Sequence, residues 1–307
     1  MTAEEKRARF LEPETRCGHY VSAETKACWK VMLDLAEDFL RVCDKHGLRY
    51  MLAGGSLLGA VRHGGFIPWD DDLDLAMPRE DYDRFVGLAG EFRHPHFLQT
   101  ALTDREYTIT HAKLRNSETT ALLPNHIEKD LRFNEGIFID VFPLDPYPDS
   151  PGLRRRTERR EWVLRGLRTY AMRRRFGRPV LDRMLKLAGR LALRVVGADG
   201  LWNRQERMYR CLPPGREGLF VMGAAEFGFE TRYRWPGKMM SSFVDLPFEY
   251  LTFKCPAEYD AILTGIYGDW HKFVKGDSLH GGLIVDAARP YPEVIRERFD
   301  IDVTPSR

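Results

Sequence analysis

The chain has 307 residues, of which 43% are hydrophobic and 30% are charged. This composition is typical of a globular protein with a sizeable core and argues against a disordered or fibrous chain. No apolar run approaches the ~20 residues that span a bilayer, and the charged N-terminus lacks an apolar signal core; both features predict a cytoplasmic protein. The five cysteines are scattered and form no Cys-x-x-Cys pair, which argues against a zinc site or a disulfide framework.

The net charge of +2 conceals a strong asymmetry along the chain. Residues 152–196 carry a net charge of +12, so the remaining residues carry −10. A basic segment in an otherwise acidic protein indicates an anionic partner.

The first third of the chain predicts a helix followed by a strand. Residues 1–21 are expected to be loosely ordered, because Pro13 and Gly18 interrupt any period. Ser22 is a suitable N-cap for a helix that continues to His46 and ends at Gly47. Alternating apolar residues at 48–53 then predict a strand.

A glycine turn follows that strand at Gly54, Gly55 and Ser56, before a short helix predicted over residues 57–62. A strand, a glycine turn and a helix N-terminus can together bind a phosphate, since backbone N–H groups point outward and glycine permits close approach. Ser56 is expected to cap the helix and to offer its hydroxyl group. Alone, this triplet is a weak signal; the acidic segment that follows makes it a strong one.

Four aspartates lie within the next short segment: Asp70, Asp71, Asp72 and Asp74. Acidic and apolar residues alternate from Asp72 to Leu75, which predicts a strand with Asp70, Asp72 and Asp74 on one face. Carboxylates gathered in this way repel each other unless a divalent cation supplies positive charge. A solvated acidic turn is the alternative, which the apolar residues at 73, 75 and 77 disfavour.

Further strands are predicted at residues 97–102, 107–114 and 119–123. Alternation places Lys113 and Arg115 on one strand face, where two cations could hold a pyrophosphate. An ordinary exposed strand face fits the spacing equally well.

Asp140 interrupts the apolar run from Gly136 to Phe142. A buried aspartate is unfavourable unless it is paired, hydrogen-bonded or bound to metal. We therefore predict that Asp140 is the third metal-site carboxylate beside Asp72 and Asp74; a hydrogen-bonded structural role is the alternative. The proline-rich run at 143–151 predicts a break and a domain boundary after a catalytic core of residues 22–150.

Residues 151–212 are predicted to form a basic helical insertion. Between Val180 and Val196, leucine and methionine side chains line one side of a helix, and Arg183, Arg190 and Arg194 line the other. Such a helix can lie on an anionic membrane surface; the alternative is a helix packed on the core with a solvated basic face. No nucleic-acid-binding module is recognised, so nucleic acid is not expected as a partner.

Residues 213–307 are expected to complete the catalytic domain. The pattern predicts that residues 220–222 and residues 243–253 are strands of a small second sheet, and that a helix runs from Pro256 to Tyr267. His280 lies in a glycine-rich stretch, and a structural or exposed role is the simpler interpretation.

The stretch from Gly54 to Phe85 closely resembles the signature of the LicD family. The resemblance continues through motifs that contain Lys113, Asp140 and the segment 246–270, and it covers about residues 25–271 with a weaker middle. The family includes bacterial phosphocholine transferases and, more distantly, fukutin and fukutin-related protein. Its members resemble nucleotidyltransferase-fold enzymes that move an alcohol phosphate from a CDP-activated donor onto a glycan.

This resemblance implies an α/β (α+β) fold, with a nucleotidyltransferase-like mixed sheet flanked by helices. It implies Mg²⁺ or Mn²⁺ held by Asp72, Asp74 and Asp140, and a hydroxyl of a cell-surface glycan or its lipid-linked precursor as acceptor. The expected donor-binding residues are Gly54, Gly55, Ser56, Arg62, Lys113 and Arg115. Either Asp70 or Asp140 would accept the proton of the acceptor.

One departure concerns spacing, because Ser56 and Asp72 are further apart than in most nucleotidyltransferase-fold enzymes. Two other functions stay open: a nucleotidyltransferase that releases pyrophosphate, and an inactive glycan- or nucleotide-binding module. The expected location is cytoplasmic, with the inner face of the cell membrane as a docking surface for residues 152–196.

Overall fold

The computed structural model describes residues 2–104, 106–129, 132–172, 179–274 and 282–303; His280 lies outside these ranges. The helices are α1 (Ala3–Ala8), α2 (Ala23–His46), α3 (Gly54–His63), α4 (Arg79–Val86), α5 (Pro124–Lys129), α6 (Pro151–Met172), α7 (Pro179–Val196), α8 (Ala198–Arg210), α9 (Ala224–Phe227), α10 (Tyr259–Tyr267) and α11 (Tyr291–Phe299). The strands are β1 (Glu14–Arg16), β2 (His19–Val21), β3 (Met51–Leu52), β4 (Asp74–Pro78), β5 (His96–Gln99), β6 (Ala112–Asn116), β7 (Thr120–Leu122), β8 (Ile137–Pro146), β9 (Phe220–Met222), β10 (Arg234–Trp235), β11 (Phe243–Phe248), β12 (Leu251–Pro256) and β13 (Ile284–Asp286).

The main sheet is mixed and is built around the long strand β8. One edge of β8 pairs in parallel with β4, and β3 continues the sheet beyond β4 in the antiparallel direction. The other edge pairs antiparallel with β6 and, further along, with β9. Strand β5 extends the sheet beyond β6, and β10 extends it beyond β9. The expected α+β fold with a mixed sheet and flanking helices is confirmed.

The register of this sheet brings charged residues of three strands together. Asp74 of β4 lies opposite Asp140 of β8, and Lys113 of β6 lies opposite Asp140 on the other edge. Residues that face each other across neighbouring strands have Cβ atoms about 5 Å apart. Pairing therefore places a lysine and two aspartates in one row across the sheet.

Helix α2 covers the sheet and supplies much of the core. Ser22 caps it by accepting a hydrogen bond from the Thr25 amide, and Gly47 ends it in the left-handed conformation at φ 60°. Its apolar side, which includes Leu35 and Phe39, is fully buried. The helix predicted from Ser22 to His46 is confirmed.

The N-terminal segment is ordered, contrary to the expectation for residues 1–21. Helix α1 leads into the β1–β2 hairpin, whose turn uses Cys17 and Gly18 at positive φ. Phe10 is 5% exposed and meets the Tyr250 ring edge-on, with ring centroids 5.3 Å apart. The segment folds because this tertiary contact buries an aromatic side chain, which no local period reveals.

Strand β8 does not end at Pro143, where the proline-rich run predicted a break. It continues to Pro146, and the carbonyl of Pro143 accepts a hydrogen bond from the Gly223 amide 2.9 Å away. A strand tolerates proline where the missing N–H is not needed by a neighbour. The extension of β8 is what gives β9 its pairing partner.

Helices α6, α7 and α8 make up most of the 151–212 segment, as predicted. Helix α8 joins the sheet through Glu206, whose carboxylate lies 2.5 Å from the Arg79 guanidinium. Strands β11 and β12 form the small second sheet expected near residues 243–253. The prediction that residues 220–222 belong to this sheet was wrong, because β9 pairs with β8 in the main sheet. Among the described helices, none combines the length and the apolar character needed to cross a bilayer.

Candidate active site

A cleft of ≈420 Å³ opens at the N-terminal end of α3, beside the start of β4. The acidic segment forms one wall, and residues that follow β9 and α10 form the opposite wall. Its lining includes Gly54, Gly55, Arg62, Trp69, Asp70, Asp71, Asp72, Asp74, Phe227, Tyr233, Tyr267, Asp269, Trp270 and Lys272. Four aspartates thus face the glycine-rich start of a helix across one cavity.

The alternating pattern predicted that the acidic residues lie on one strand, but in the structure they do not. Only Asp74 belongs to β4, and Asp70, Asp71 and Asp72 precede it in a loop. In this loop, each of the three side chains places a carboxylate oxygen within 4.8 Å of the others. The loop, rather than strand alternation, therefore gathers the carboxylates at the cleft.

Two buried contacts hold this loop in place. The indole N–H of Trp29 in α2 donates a hydrogen bond of 3.1 Å to the Asp70 carbonyl. Glu249 accepts hydrogen bonds from the Phe66 amide at 3.0 Å and from the Arg16 guanidinium at 2.7 Å. Glu249 has φ 57°, an uncommon conformation for glutamate, and its neighbours compensate for the strain. The hairpin and the β11–β12 sheet thereby position the acidic loop.

Gly54 and Gly55 open helix α3, and both lie against carboxylates. A Cβ atom at Gly54 would be 2.9 Å from an Asp74 oxygen, and Gly54 also has φ 50°. A Cβ atom at Gly55 would be 2.8 Å from an Asp70 oxygen. The first N–H groups of a helix have no intrahelical acceptor, so the glycines leave them open to a ligand beside the carboxylates.

We expect Gly55→Ala to weaken divalent-cation binding and turnover more than tenfold without lowering the melting temperature. The new methyl group displaces the Asp70 carboxylate, whereas alanine is favoured over glycine inside a helix by about 1 kcal/mol. Isothermal titration with Mg²⁺ and thermal melting measure the two effects. Gly265→Ala in α10 is the matched control, because nothing lies within 4 Å of its Cβ position. Equal cation affinity in the two variants would contradict this role of Gly55.

Ser56 differs from its expected role as a helix cap. Ala53 occupies the N-cap position without a side-chain hydrogen bond. The Ser56 hydroxyl is 2% exposed and accepts a hydrogen bond of 2.8 Å from the Asp74 amide. Ser56 therefore ties the start of β4 to α3, and it fixes Asp74 relative to the glycines.

Burial and mutual repulsion disfavour the ionised form of the crowded carboxylates in the cleft. Burial and the neighbouring Asp74 raise the pKa of Asp70 to about 7. Burial, Asp72 and Asp140 raise the pKa of Asp74 well above its usual range. A bound divalent cation would relieve both, and a set of carboxylate oxygens is the donor set that Mg²⁺ and Mn²⁺ prefer. The donors present fit such an ion.

Asp140 is neutralised by the protein itself. Its Oδ1 accepts a hydrogen bond from Lys113 Nζ and lies 2.9 Å from His111 Nε2. Burial alone would raise the pKa of Asp140, but Lys113 and His111 outweigh burial and hold that pKa below its usual range. Asp140 lies behind Asp74 in the sheet and is not part of the cleft lining.

We expect Asp140→Asn to lower the free energy of unfolding by about 1–3 kcal/mol, because Lys113 loses its buried counter-charge. Burial already lowers the pKa of Lys113, and Asp140 opposes that shift. Denaturant unfolding measures the loss, and Mg²⁺ titration of the same variant measures metal affinity. Lys113→Met with Asp140→Asn should recover part of the stability, since the uncompensated charge is gone. A variant with wild-type stability and weakened Mg²⁺ binding would instead make Asp140 a metal ligand.

Of the three cationic residues predicted to bind the donor, one lines the cleft and two are buried. Arg115 is 1% exposed and donates hydrogen bonds to Gln99 Oε1 and the Gly136 carbonyl, so it lies in the core away from the cleft. Arg62 lines the cleft and donates to the carbonyl of Trp270 at 3.1 Å. The charged groups of Lys113 and Arg115 both lie over the Phe138 ring, and Lys113 is also buried.

Several cleft residues were not singled out by sequence reasoning. Phe227 and Tyr233 stack with ring centroids 4.5 Å apart, and they come from a segment without a recognisable motif. Trp69 lies inside the signature, and Tyr267 and Asp269 lie inside a matching motif. Tyr267 lines the cleft with 43% of its surface exposed, and its position near the acidic loop contributes to raising its pKa.

A larger cavity, of ≈990 Å³, lies elsewhere, between α6 and α8. It is lined by apolar side chains and six arginines: Arg155, Arg156, Arg159, Arg160, Arg204 and Arg207. No carboxylate is part of its lining, and it lacks the acid–glycine arrangement of the smaller cleft. We therefore assign the candidate active site to the cleft beside β4.

Comparison with known proteins agrees with this geometry. The family described as LicD/FKTN/FKRP, nucleotidyltransferase domain, matches residues 47–152. The lipopolysaccharide cholinephosphotransferase LicD of Haemophilus influenzae is 35% identical over 123 residues, which are 39% of this chain and 44% of the relative. Human ribitol 5-phosphate transferase FKRP is 39% identical over 87 residues, which are 25% of this chain and 18% of that protein.

An uncharacterized protein of Rickettsia prowazekii is 30% identical over 118 residues, covering 38% of this chain and 40% of the relative. The chain therefore spans less than half the length of the curated relatives it matches. The matched segment contains the glycine turn, the acidic loop, β4 and β8. Residues 47–152 are thus similar to the nucleotidyltransferase domain described for LicD, FKTN and FKRP, and the chain resembles LicD cholinephosphotransferase and FKRP over parts of this segment.

Proposed function

We propose that this protein is a phosphotransferase that moves an alcohol phosphate from a CDP-activated donor to a hydroxyl group of a cell-surface glycan or its lipid-linked precursor. The observation that carries the proposal is the cleft in which Asp70, Asp72 and Asp74 face Gly54 and Gly55 at the start of α3. Phosphoryl transfer depends mainly on positioning and electrostatics, and this cleft offers both. The names of the relatives, a cholinephosphotransferase and a ribitol 5-phosphate transferase, support the same class of reaction.

Each cleft residue has a defined part in this proposal. Asp72 and Asp74 would hold Mg²⁺, and the bound ion would supply positive charge for the donor pyrophosphate. The backbone N–H groups at Gly54 and Gly55 bind a donor phosphate at the positive end of α3. Arg62 lies at the rim of the cleft, where its charge favours the nucleotide part of the donor.

Of the two candidates for the proton acceptor, Asp70 is favoured by position. Asp70 lines the cleft, whereas the Asp140 carboxylate is already engaged by Lys113 and His111. The acceptor hydroxyl group would give its proton to Asp70. At the same time, the acceptor oxygen would bond to phosphorus, and the bond between phosphorus and the CMP oxygen would break. Asp70→Asn should then reduce turnover by a much larger factor than it reduces Mg²⁺ affinity.

The aromatic side chains of the cleft favour a cationic alcohol such as choline over a polyol. Phe227, Tyr233 and Tyr267 line the cavity together with the aspartates. Aromatic faces and carboxylates together attract a quaternary ammonium group. Tyr233→Leu should therefore weaken inhibition by free choline phosphate and leave inhibition by CMP unchanged.

Product analysis tests the proposed reaction against its rival. The purified protein is incubated with CDP-choline or CDP-ribitol, Mg²⁺ and a glycan acceptor, and the nucleotide products are separated. Release of CMP with labelled alcohol phosphate on the glycan supports the proposal. Release of pyrophosphate in a parallel incubation with CTP and an alcohol phosphate would identify a nucleotidyltransferase, and binding without any release would identify a glycan- or nucleotide-binding module.

A further inference from the structure

Helix α7 presents an apolar stripe to solvent. Val180, Met184, Leu187, Leu191 and Val195 are between 60% and 76% exposed. Their spacing of three and four residues places them on one side of the helix, over a length of about 22 Å. Large continuous apolar patches are rare on the surface of a protein that has no partner.

The opposite side of α7 packs against α6. A Cβ atom at Gly189 would lie 2.5 Å from the Leu167 carbonyl, so the two helices touch there. Asp182, one heptad earlier, is 5% exposed. The apolar residues therefore point away from the protein, contrary to the expectation that a packed insertion would bury them and leave only its basic face in solvent.

A row of arginines runs along one edge of the stripe. Arg183, Arg190 and Arg194 are exposed, and helical spacing places them next to Leu187 and Leu191. Within the described part of the chain, these three arginines form no ion pair with a carboxylate. The single acidic residue of α7 is Asp182, which is buried. The outer surface of the helix is thus apolar and positively charged, without a compensating negative charge.

We propose that α7 docks this face of the protein in the plane of an anionic lipid bilayer. The apolar stripe would enter the boundary between head groups and acyl chains, and the arginines would contact lipid phosphates. A bilayer fits better than a protein partner, because the apolar stripe runs along most of the helix and contains no acidic residue. This inference does not depend on the proposed function, and α7 lies outside the LicD-family segment.

Vesicle co-sedimentation tests the proposal. The full chain is mixed with vesicles of phosphatidylcholine alone or with added phosphatidylglycerol, at low and at high salt. We expect sedimentation with the anionic vesicles, reduced by high salt and weaker on neutral vesicles. Leu187→Gln with Leu191→Gln should lower the partition coefficient at least about tenfold, because apolar burial is lost while charge is unchanged.

Two further variants separate the contributions. Arg183→Gln, Arg190→Gln and Arg194→Gln combined should remove the preference for anionic vesicles and its salt dependence. Leu11→Gln with Leu102→Gln is the matched control, since both leucines are about half exposed, at 53% and 44%, and lie outside α7. Thermal melting of each variant verifies that it is folded.

Three results would overturn the proposal. The first is no sedimentation with either kind of vesicle, and the second is an equal loss in the α7 and control variants. The third is self-association without lipid, in sedimentation velocity experiments, that the α7 leucine substitutions abolish, since a second copy of the chain would then cover the stripe.

Discussion

Replacing Asp74 with Asn is expected to lower the transfer rate by about a thousandfold or more and, in the same variant, to stabilise the metal-free protein. In the proposed reaction the rate falls because Asp74 is one of the two carboxylates proposed to hold Mg²⁺, and such an ion would supply several kcal/mol of charge stabilisation in the transition state. Stability rises because the buried carboxylate of Asp74 lies among Asp72 and Asp140, which raise its pKa. One substitution should therefore move activity and stability in opposite directions.

The pH dependence of that stabilisation has a definite sign. A carboxyl group with a raised folded-state pKa holds its proton in the folded protein after the unfolded chain has released it, so stability falls as pH rises between the two pKa values. For Asp70, whose folded pKa is about 7, that interval begins near the ordinary aspartate pKa of about 4. The pKa of Asp74 is raised as well, so the stabilisation by Asp74→Asn should be larger at pH 8 than at pH 5.

Thermal melts with and without Mg²⁺ at the two pH values measure this effect. Mg²⁺ should raise the melting temperature of the wild type at pH 8 and should raise that of Asp74→Asn much less. Asp245→Asn is the matched control, because Asp245 is exposed and pairs with Lys254 at 2.7 Å on the second sheet. Wild-type turnover in Asp74→Asn, or an unchanged response to Mg²⁺, would mean that Asp74 does not hold the cation.

The largest loss of stability is expected from Arg79→Met, at about 3–5 kcal/mol. Arg79 donates two hydrogen bonds to the fully buried carboxylate of Asp145, at 2.7 and 3.0 Å, and a third to Glu206 at 2.5 Å. Burial opposes the charge of Arg79, but the two carboxylates outweigh it and raise its pKa well above the usual range. Removing the arginine leaves two buried acids without a counter-charge.

This triad joins three parts of the molecule, since Arg79 opens α4, Asp145 lies in β8 and Glu206 lies in α8. Urea unfolding measures the expected loss. Arg210→Gln is the control, because its bidentate pair with Asp83 is 44% exposed on the arginine side, and exposed pairs contribute at most about 1 kcal/mol. Combining Arg79→Met with Asp145→Asn and Glu206→Gln should restore part of the loss. Similar losses in Arg79→Met and Arg210→Gln would contradict the importance of burial here.

The sequence by itself determined the local elements and the similarity of residues 47–152 to the LicD family. Ser22 and Gly47 mark the ends of α2 because capping and left-handed glycine are local properties of the backbone. The glycines beside an acidic segment were recognisable because both features lie within one short stretch of chain. The amphipathic character of α7 was also predictable, since helical period depends only on spacing.

Tertiary structure decided which of these residues meet and which face solvent. Lys113 and Arg115 look equivalent in the sequence, yet register pairs Lys113 with Asp140, and Gln99 and Gly136 enclose Arg115. Phe227 and Tyr233 enter the cleft only because β9 pairs with the extended end of β8. The direction of the apolar side of α7 was likewise undecided, because amphipathic period does not specify whether core, lipid or solvent lies on that side. Contacts between distant segments depend on register and packing, and a short stretch of sequence encodes neither of them.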